Sequence, residues 1–211
     1  MPHIIETIYG SSIDDAVDLL EQTHQLIVDC AITSQSNLST ETLSWGVNIK
    51  RLEVPLPCGQ LLVGKPREKF VEIINILATT ERTISALKWL FLTYPEAQIR
   101  ECHPSTSDDS GGNDIVLTDN QGNILVRCEV CDVASSNAAQ NNKEKKDLKN
   151  LGCETAIPDD SIKRYIATSY EFAKALSSLN RKWNKMHYRY ILHSTEAGDQ
   201  TVMLEITRNA A

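Results

Sequence analysis

The chain lacks most of the features that settle a protein's class at sight. Among its 211 residues no apolar run approaches the ~20 residues a membrane helix needs. Internal repeats and low-complexity tracts are absent. The opening residues, Met1-Pro2-His3-Ile4-Ile5-Glu6, lack the basic-then-apolar order of a secretory leader. A cytoplasmic protein with no membrane partner is therefore expected, and its six cysteines (30, 58, 102, 128, 131 and 153) are expected to be reduced thiols. No helix-turn-helix or zinc-finger spacing is visible, so no sequence-reading element can be named.

Cations are also in short supply. Lys and Arg number 21 against 28 Asp and Glu, a net charge of −7, which weighs against a polyanion-binding surface spread over the whole molecule. The deficit is uneven, however. Residues 127–189 hold 12 basic and 8 acidic residues, a net of +4, and the remainder carries −11. Any surface facing a polyanion belongs to the second half, where Lys163, Arg164, Lys182, Lys185 and Arg189 could meet phosphates. A bland alternative is that these charges are solvated helix faces.

What is present is ordinary globular material, 41% hydrophobic and 23% charged, at a length suited to one domain. Ile13 to Ile32 reads as an amphipathic helix that Ser11 or Ser12 could cap. Residues 47–63 read as extended. A second helix can start at Pro66, and either runs on or breaks near Thr79-Thr80. From Ala97 the period shortens to strands over 97–102, 114–118 and 123–133. The last two flank Asp119-Asn120-Gln121-Gly122, a hairpin signal. A helix is expected over 134–151, ended by Gly152. A strand (162–169), a helix (170–183) and two closing strands follow. The expected fold is α/β, a mixed central sheet flanked by helices. Residues 1–65 would form a helix and extended segment packing on a core of residues 66–211.

The chemistry concentrates on the strand around Cys128-Glu129-Val130-Cys131. The Cys-x-x-Cys spacing suggests zinc, but such a pair binds zinc from a tight turn where both sulfurs converge. In a strand, side chains alternate faces. Cys128 then points away from Cys131, and Glu129 and Cys131 project together with Arg127. Asp114, opening the preceding strand, can bring a second carboxylate beside Glu129. Two carboxylates and a backbone carbonyl such as that of Val130 make a hard oxygen site suited to Mg²⁺.

An acid at the start of one strand, a hairpin, and Glu-x-Lys on the next resembles the signature of the PD-(D/E)XK nucleases, the restriction-endonuclease-like superfamily. Asp114 stands at the Asp and Glu129 at the Glu. The order helix, three strands, helix, strand over residues 66–182 is similar to that family's core. Asn113 replaces the usual Pro, and Cys131 replaces the Lys. A thiol carries no positive charge and cannot take the place of an ammonium beside two carboxylates. The resemblance implies a Mg²⁺- or Mn²⁺-dependent DNA endonuclease, expected as a homodimer if both strands are cut. It implies Asp114 and Glu129 as metal ligands, with Glu81 as an added carboxylate from the helix before the sheet. Lys145, or next Lys143, from the following helix would replace the cation missing at Cys131, unless Cys131 has a chemistry of its own. The alternative is a catalytically inactive module of the same fold that binds nucleic acid or protein.

Overall fold

The computed structural model describes residues 8–37, 73–104, 113–131, 146–153, 161–174, 188–195 and 201–208. Among these, two long helices, α1 (Ile13–Asn37) and α2 (Ile73–Thr93), accompany seven strands. The strands are β1 (Ile8–Ser12), β2 (Gln98–Cys102), β3 (Ile115–Thr118), β4 (Ile124–Cys131), β5 (Lys163–Ser169), β6 (Tyr188–Ser194) and β7 (Thr201–Arg208). They form one mixed sheet in the order β1-β2-β3-β4-β5-β7-β6. β4 and β5 are parallel, and every other neighbouring pair is antiparallel. The mixed sheet flanked by helices is the α/β architecture expected. No helix among the described residues is long and apolar enough to cross a membrane.

Local chemistry accounts for the elements. Ser12 caps α1: its Oγ accepts the Asp15 N–H at 3.1 Å and donates to Asp15 Oδ2 at 2.6 Å. Ile13, Ala16, Val17, Leu20 and Ile27 then bury one stripe of the helix. α2 runs unbroken through Thr79-Thr80. Thr79, Thr80 and Thr83 are buried, and the Thr83 hydroxyl donates to the Thr79 carbonyl at 2.8 Å, so packing overrides the weak helix propensity of threonine. The start expected at Pro66 lies outside the described residues, as does the extended segment 47–63. The β3–β4 turn closes as the sequence suggests. Asp119 Oδ1 accepts the N–H groups of Gln121 and Asn123, both at 2.8 Å, and Gly122 takes φ +83°. Bonds from the Asn123 side chain and backbone hold the Asp119 carboxyl below its ordinary value.

Two apolar clusters sandwich the sheet. On one face α1 and α2 (Leu20, Ile84, Leu87, Leu90) pack on Ile99, Ile115, Leu117, Val126, Cys128, Tyr165 and Met203. On the other, Leu148 and Phe172, from helical residues 146–150 and 170–174, and Leu151, from the turn that follows 146–150, pack on Cys131, Ile166 and Leu204. Each fully buried aliphatic side chain stabilises the fold by ~1.5–3 kcal/mol. Residues 146–150 end in a Schellman turn, with Cys153 N–H bonded to the Leu148 carbonyl at 2.7 Å and Gly152 N–H to that of Lys149 at 2.9 Å. Gly152 adopts φ +73°, as its place after the helix requires.

The N-terminal part differs from the expectation in one respect. Ile8–Ser12 is a strand of the sheet, paired with β2, rather than part of a segment laid on its outside.

Candidate functional site

The register fixes the site. Ile115–Cys128 is the last pair of the β3–β4 ladder, and Asp114 and Glu129 each lie one residue beyond it. Cys128 and Val130 pack in the α1/α2 cluster and Cys131 in the other, so Glu129 projects to the same face as Cys131. Leu125 alone departs from this alternation: it packs against the α1/α2 cluster, beside the register shift between Leu117 and Thr118. The sulfurs of Cys128 and Cys131 therefore lie on opposite sides of the sheet and cannot converge on one ion.

Asp114 sits one residue before β3, half-buried, where the strand ladder stops. Its Oδ2 accepts the Val130 N–H at 2.6 Å, and its own carbonyl accepts the His103 N–H at 2.7 Å. The residue pins the mouth of the β2-β3-β4 meander. Glu129 is only 1% exposed. Its Oε1 accepts the Asn113 amide at 2.9 Å, and its Oε2 accepts the Asn150 amide at 3.4 Å. A buried carboxylate needs such donors, because desolvation without them disfavours its charge. Cys102, Cys128, Cys131 and Cys153 are buried thiols, none in a disulfide. Burial pushes the Cys102 and Cys128 thiols up, and the charge of Asp114 adds to both. Thiols raised in this way are poor nucleophiles.

The site residues expected from the sequence are brought together in part. Asp114 and Glu129 lie on neighbouring strands, with Asp114 Oδ2 bonded to the N–H of Val130, next to Glu129. Cys131 shares their face, but it is wholly buried among Leu148, Leu151 and Ile166, with its carbonyl accepting the Thr168 hydroxyl at 3.0 Å. It is a packing residue of the core rather than a group presented to a substrate. Glu81 does not join them. It is exposed on α2, the helix covering the opposite face, and lines a cleft of about 800 Å³ with Glu21, His24, Arg82 and Lys88. Lys143 and Lys145 lie outside the described residues, as do Lys182 and Lys185. Among the remaining candidate phosphate contacts, Arg164 is buried and donates to the carbonyls of Leu151 (3.0 Å) and Ile162 (2.7 Å). Lys163 is paired with Glu205 at 2.9 Å. Arg189 is exposed and bonded to Thr207 at 3.2 Å.

Asn113 and Asn150 are the site residues that sequence reasoning missed. Asparagine ordinarily marks turns and surfaces. The one signal was position: Asn113 immediately precedes the acid that opens a strand.

Fit to a hard cation turns on the donor set. Mg²⁺ uses one or two carboxylates, with water and substrate phosphate completing its shell. Asp114 and Glu129 supply two carboxylates of the right chemistry from adjacent strands. No group of three or more His, Cys, Asp and Glu converges among the described residues, so the protein's share there is this pair. The donors fit; access to Glu129 is what the two asparagine amides oppose.

No family model, no curated protein and no solved structure matches the chain.

Proposed function

We propose that the chain is a restriction-endonuclease-like protein that hydrolyses phosphodiesters of DNA with Mg²⁺ or Mn²⁺. One observation carries the reading: Asp114 and Glu129 each lie one residue beyond the Ile115–Cys128 pair where β3 begins, and Asp114 Oδ2 accepts the N–H of Val130, the residue after Glu129, at 2.6 Å. They do so within the order α2-β2-β3-β4, crossover, parallel β5. That is the helix, three strands, helix, strand order expected of such a core, with helical residues 146–150 in the crossover. Asp114 and Glu129 would hold the ion. A cation bound there polarises a phosphodiester and lowers the pKa of a bound water. Charge building on the transferring phosphate then needs a cation from the protein. Cys131 cannot supply it, and Lys145, one residue before the described helical turn, is the proposed source. A two-fold dimer would present two such sites, one for each strand.

The test uses the full chain on supercoiled and linear DNA with Mg²⁺ and with Mn²⁺. Cleavage should require the ion and disappear in Asp114→Ala and Glu129→Ala. Intact DNA under protein excess with both ions would overturn hydrolysis.

A second reading, a non-cleaving module of the same fold, is favoured by the burial of Cys131 and Glu129. It predicts retarded DNA, or capture of a protein partner, with no strand scission, and no change on mutating Lys145.

A further inference from the structure

The face of the sheet that carries Glu129 also carries a cation without a bonding partner among the described residues. Arg127 lies two residues before Glu129 on β4 and projects to the same side. It is half-buried, and its Nε is shielded from solvent with no acceptor in reach. Its side chain makes no hydrogen bond and no ion pair among the described residues. The residue beside it in register on β5 is a second guanidinium, Arg164. Arg164 is buried and donates to the carbonyls of Leu151 and Ile162. Both charges act on the buried Cys153 thiol: burial pushes it up, and Arg164 and then Arg127 oppose that. The two cations therefore share one face, next to the turn that holds Leu151 and Cys153. Like charges directly opposite one another in a sheet are destabilising. A buried N–H without an acceptor is rare in folded proteins and calls for a partner. Snorkelling does not account for Arg127, since it would leave the guanidinium in water.

We propose that Arg127 is a binding residue for a backbone phosphate of nucleic acid, seated beside Arg164 and one strand step back from the acid pair. A phosphate oxygen supplies the acceptor that Nε lacks within the described residues. The planar guanidinium fork meets two such oxygens at once, and its charge is permanent. Two residues along a strand span roughly 7 Å, about the step between successive phosphates of one nucleic-acid strand. With one phosphate on Arg127, the next would lie at Asp114 and Glu129. Arg127 sets the register of the bound strand, and the charge at the reacting phosphate is left to Lys145. The choice of ligand rests on the proposed nuclease reading, but binding at Arg127 does not require the acids to hold an ion.

Two measurements on the full chain test it. In thermal unfolding, inorganic phosphate should raise the Tm of wild type above its value in chloride of equal ionic strength. Arg127→Gln should lose that increment and keep the wild-type Tm in chloride, since no hydrogen bond of the described residues is lost. Asp114→Ala should keep the increment. In fluorescence anisotropy with a labelled DNA duplex and no divalent ion, Arg127→Gln should weaken binding about tenfold. It should also lower the slope of log affinity against log salt by about one. Arg127→Lys, which keeps the charge without the fork, should restore the slope and only part of the affinity. No phosphate increment in wild type, or an equal one in Arg127→Gln, overturns the site. A Tm of Arg127→Gln well below wild type in chloride overturns it by showing a structural role. An Arg127-dependent increment with duplex binding unchanged in Arg127→Gln overturns nucleic acid as the ligand. Arg127-dependent binding of both phosphate and duplex, with no cleavage by wild type, supports the site and overturns hydrolysis alone.

Discussion

Replacing Cys131 with the lysine of the nuclease motif looks, from the sequence, like a repair. The structure predicts damage instead. The side chain at 131 is wholly buried among Leu148, Leu151, Ile166 and Phe172. A lysine held there must lose its proton, since an ammonium in apolar surroundings is strongly disfavoured. Discarding the proton at pH 7 from a group with an ordinary value near 10.4 costs about 1.36 kcal/mol per pH unit, roughly 4.6 kcal/mol in all. Overpacking by the longer chain adds ~1–3 kcal/mol. The expected loss, roughly 6–8 kcal/mol, is a large share of a typical ~5–15 kcal/mol stability.

The pH dependence gives the loss a signature. Burial lowers the pKa of an introduced lysine in the folded state below its unfolded value, so the unfolded chain binds more protons. The deficit of Cys131→Lys against wild type should shrink by about 1.4 kcal/mol for each unit of rising pH between 7 and 10. Urea unfolding followed by far-ultraviolet circular dichroism at pH 7, 8 and 9 measures it. Cys131→Ala serves as a control, whose smaller deficit should move far less over this range than that of Cys131→Lys. A Cys131→Lys protein within about 1 kcal/mol of wild type at pH 7 would refute the reasoning, because cost on this scale follows directly from burial. Gained DNA cleavage in that protein would place position 131 at the acid pair rather than in the core.

Three further outcomes test the fold. Leu87→Ala, which empties a fully buried position of α2 beneath the sheet, should lower the unfolding free energy by ~2–5 kcal/mol in urea titration. Gly152→Ala should cost ~1–2 kcal/mol by the same measurement: an added methyl meets nothing within 4 Å, so the penalty is the positive φ alone. Burial pushes the Glu205 carboxyl up, but hydrogen bonds from Lys163 and His193, each 2.9 Å, outweigh it and hold the group below its ordinary value. Its contribution is present above the ordinary glutamate range and is lost as pH falls through the folded value. Glu205→Gln should therefore flatten the acid limb of stability below about pH 5, by less than ~1 kcal/mol because Lys163 is half exposed.

The strands of the meander were legible because each is a short apolar run closed by a turn whose chemistry is local: Asp119 and Gly122 set the β3–β4 hairpin whatever lies around them. Face parity along β4 was legible for the same reason, since alternation is a property of the strand itself. β1 was not. Ile8-Tyr9-Gly10-Ser11-Ser12 holds only two good strand formers and a glycine at φ +61°, and only pairing with β2 makes it a strand. The insertion of β7 between β5 and β6 was also hidden, because two closing strands pair with each other equally well with either one at the sheet's edge. The position of Glu81 relative to the sheet was hidden for a related reason. Helical spacing shows which residues share a stripe, not which side of the sheet the stripe will cover.

The same limit bears on the acid pair. Stability alone does not explain a carboxylate at position 129. Its neighbours on that face include apolar Cys131 and Ile166 and, two residues back along the strand, the cationic Arg127. Replacing a buried charged group by an apolar one of similar size is often neutral or stabilising. Keeping Glu129 instead requires Asn113 as a second buried polar residue and draws Asn150 inward from the helix. Asp114 adds another carboxylate on the facing strand, whose charge raises the nearby thiols further. Each of these groups is intelligible only in terms of the others, and none is needed to close the hairpin, which Asp119 and Gly122 already do. A polar set assembled at the end of β4 is what the proposed acid pair would require, and hydrogen bonds from Asn113 and Asn150 offset the cost of burying its carboxylate. Cys131 then reads as the position where apolar packing has won.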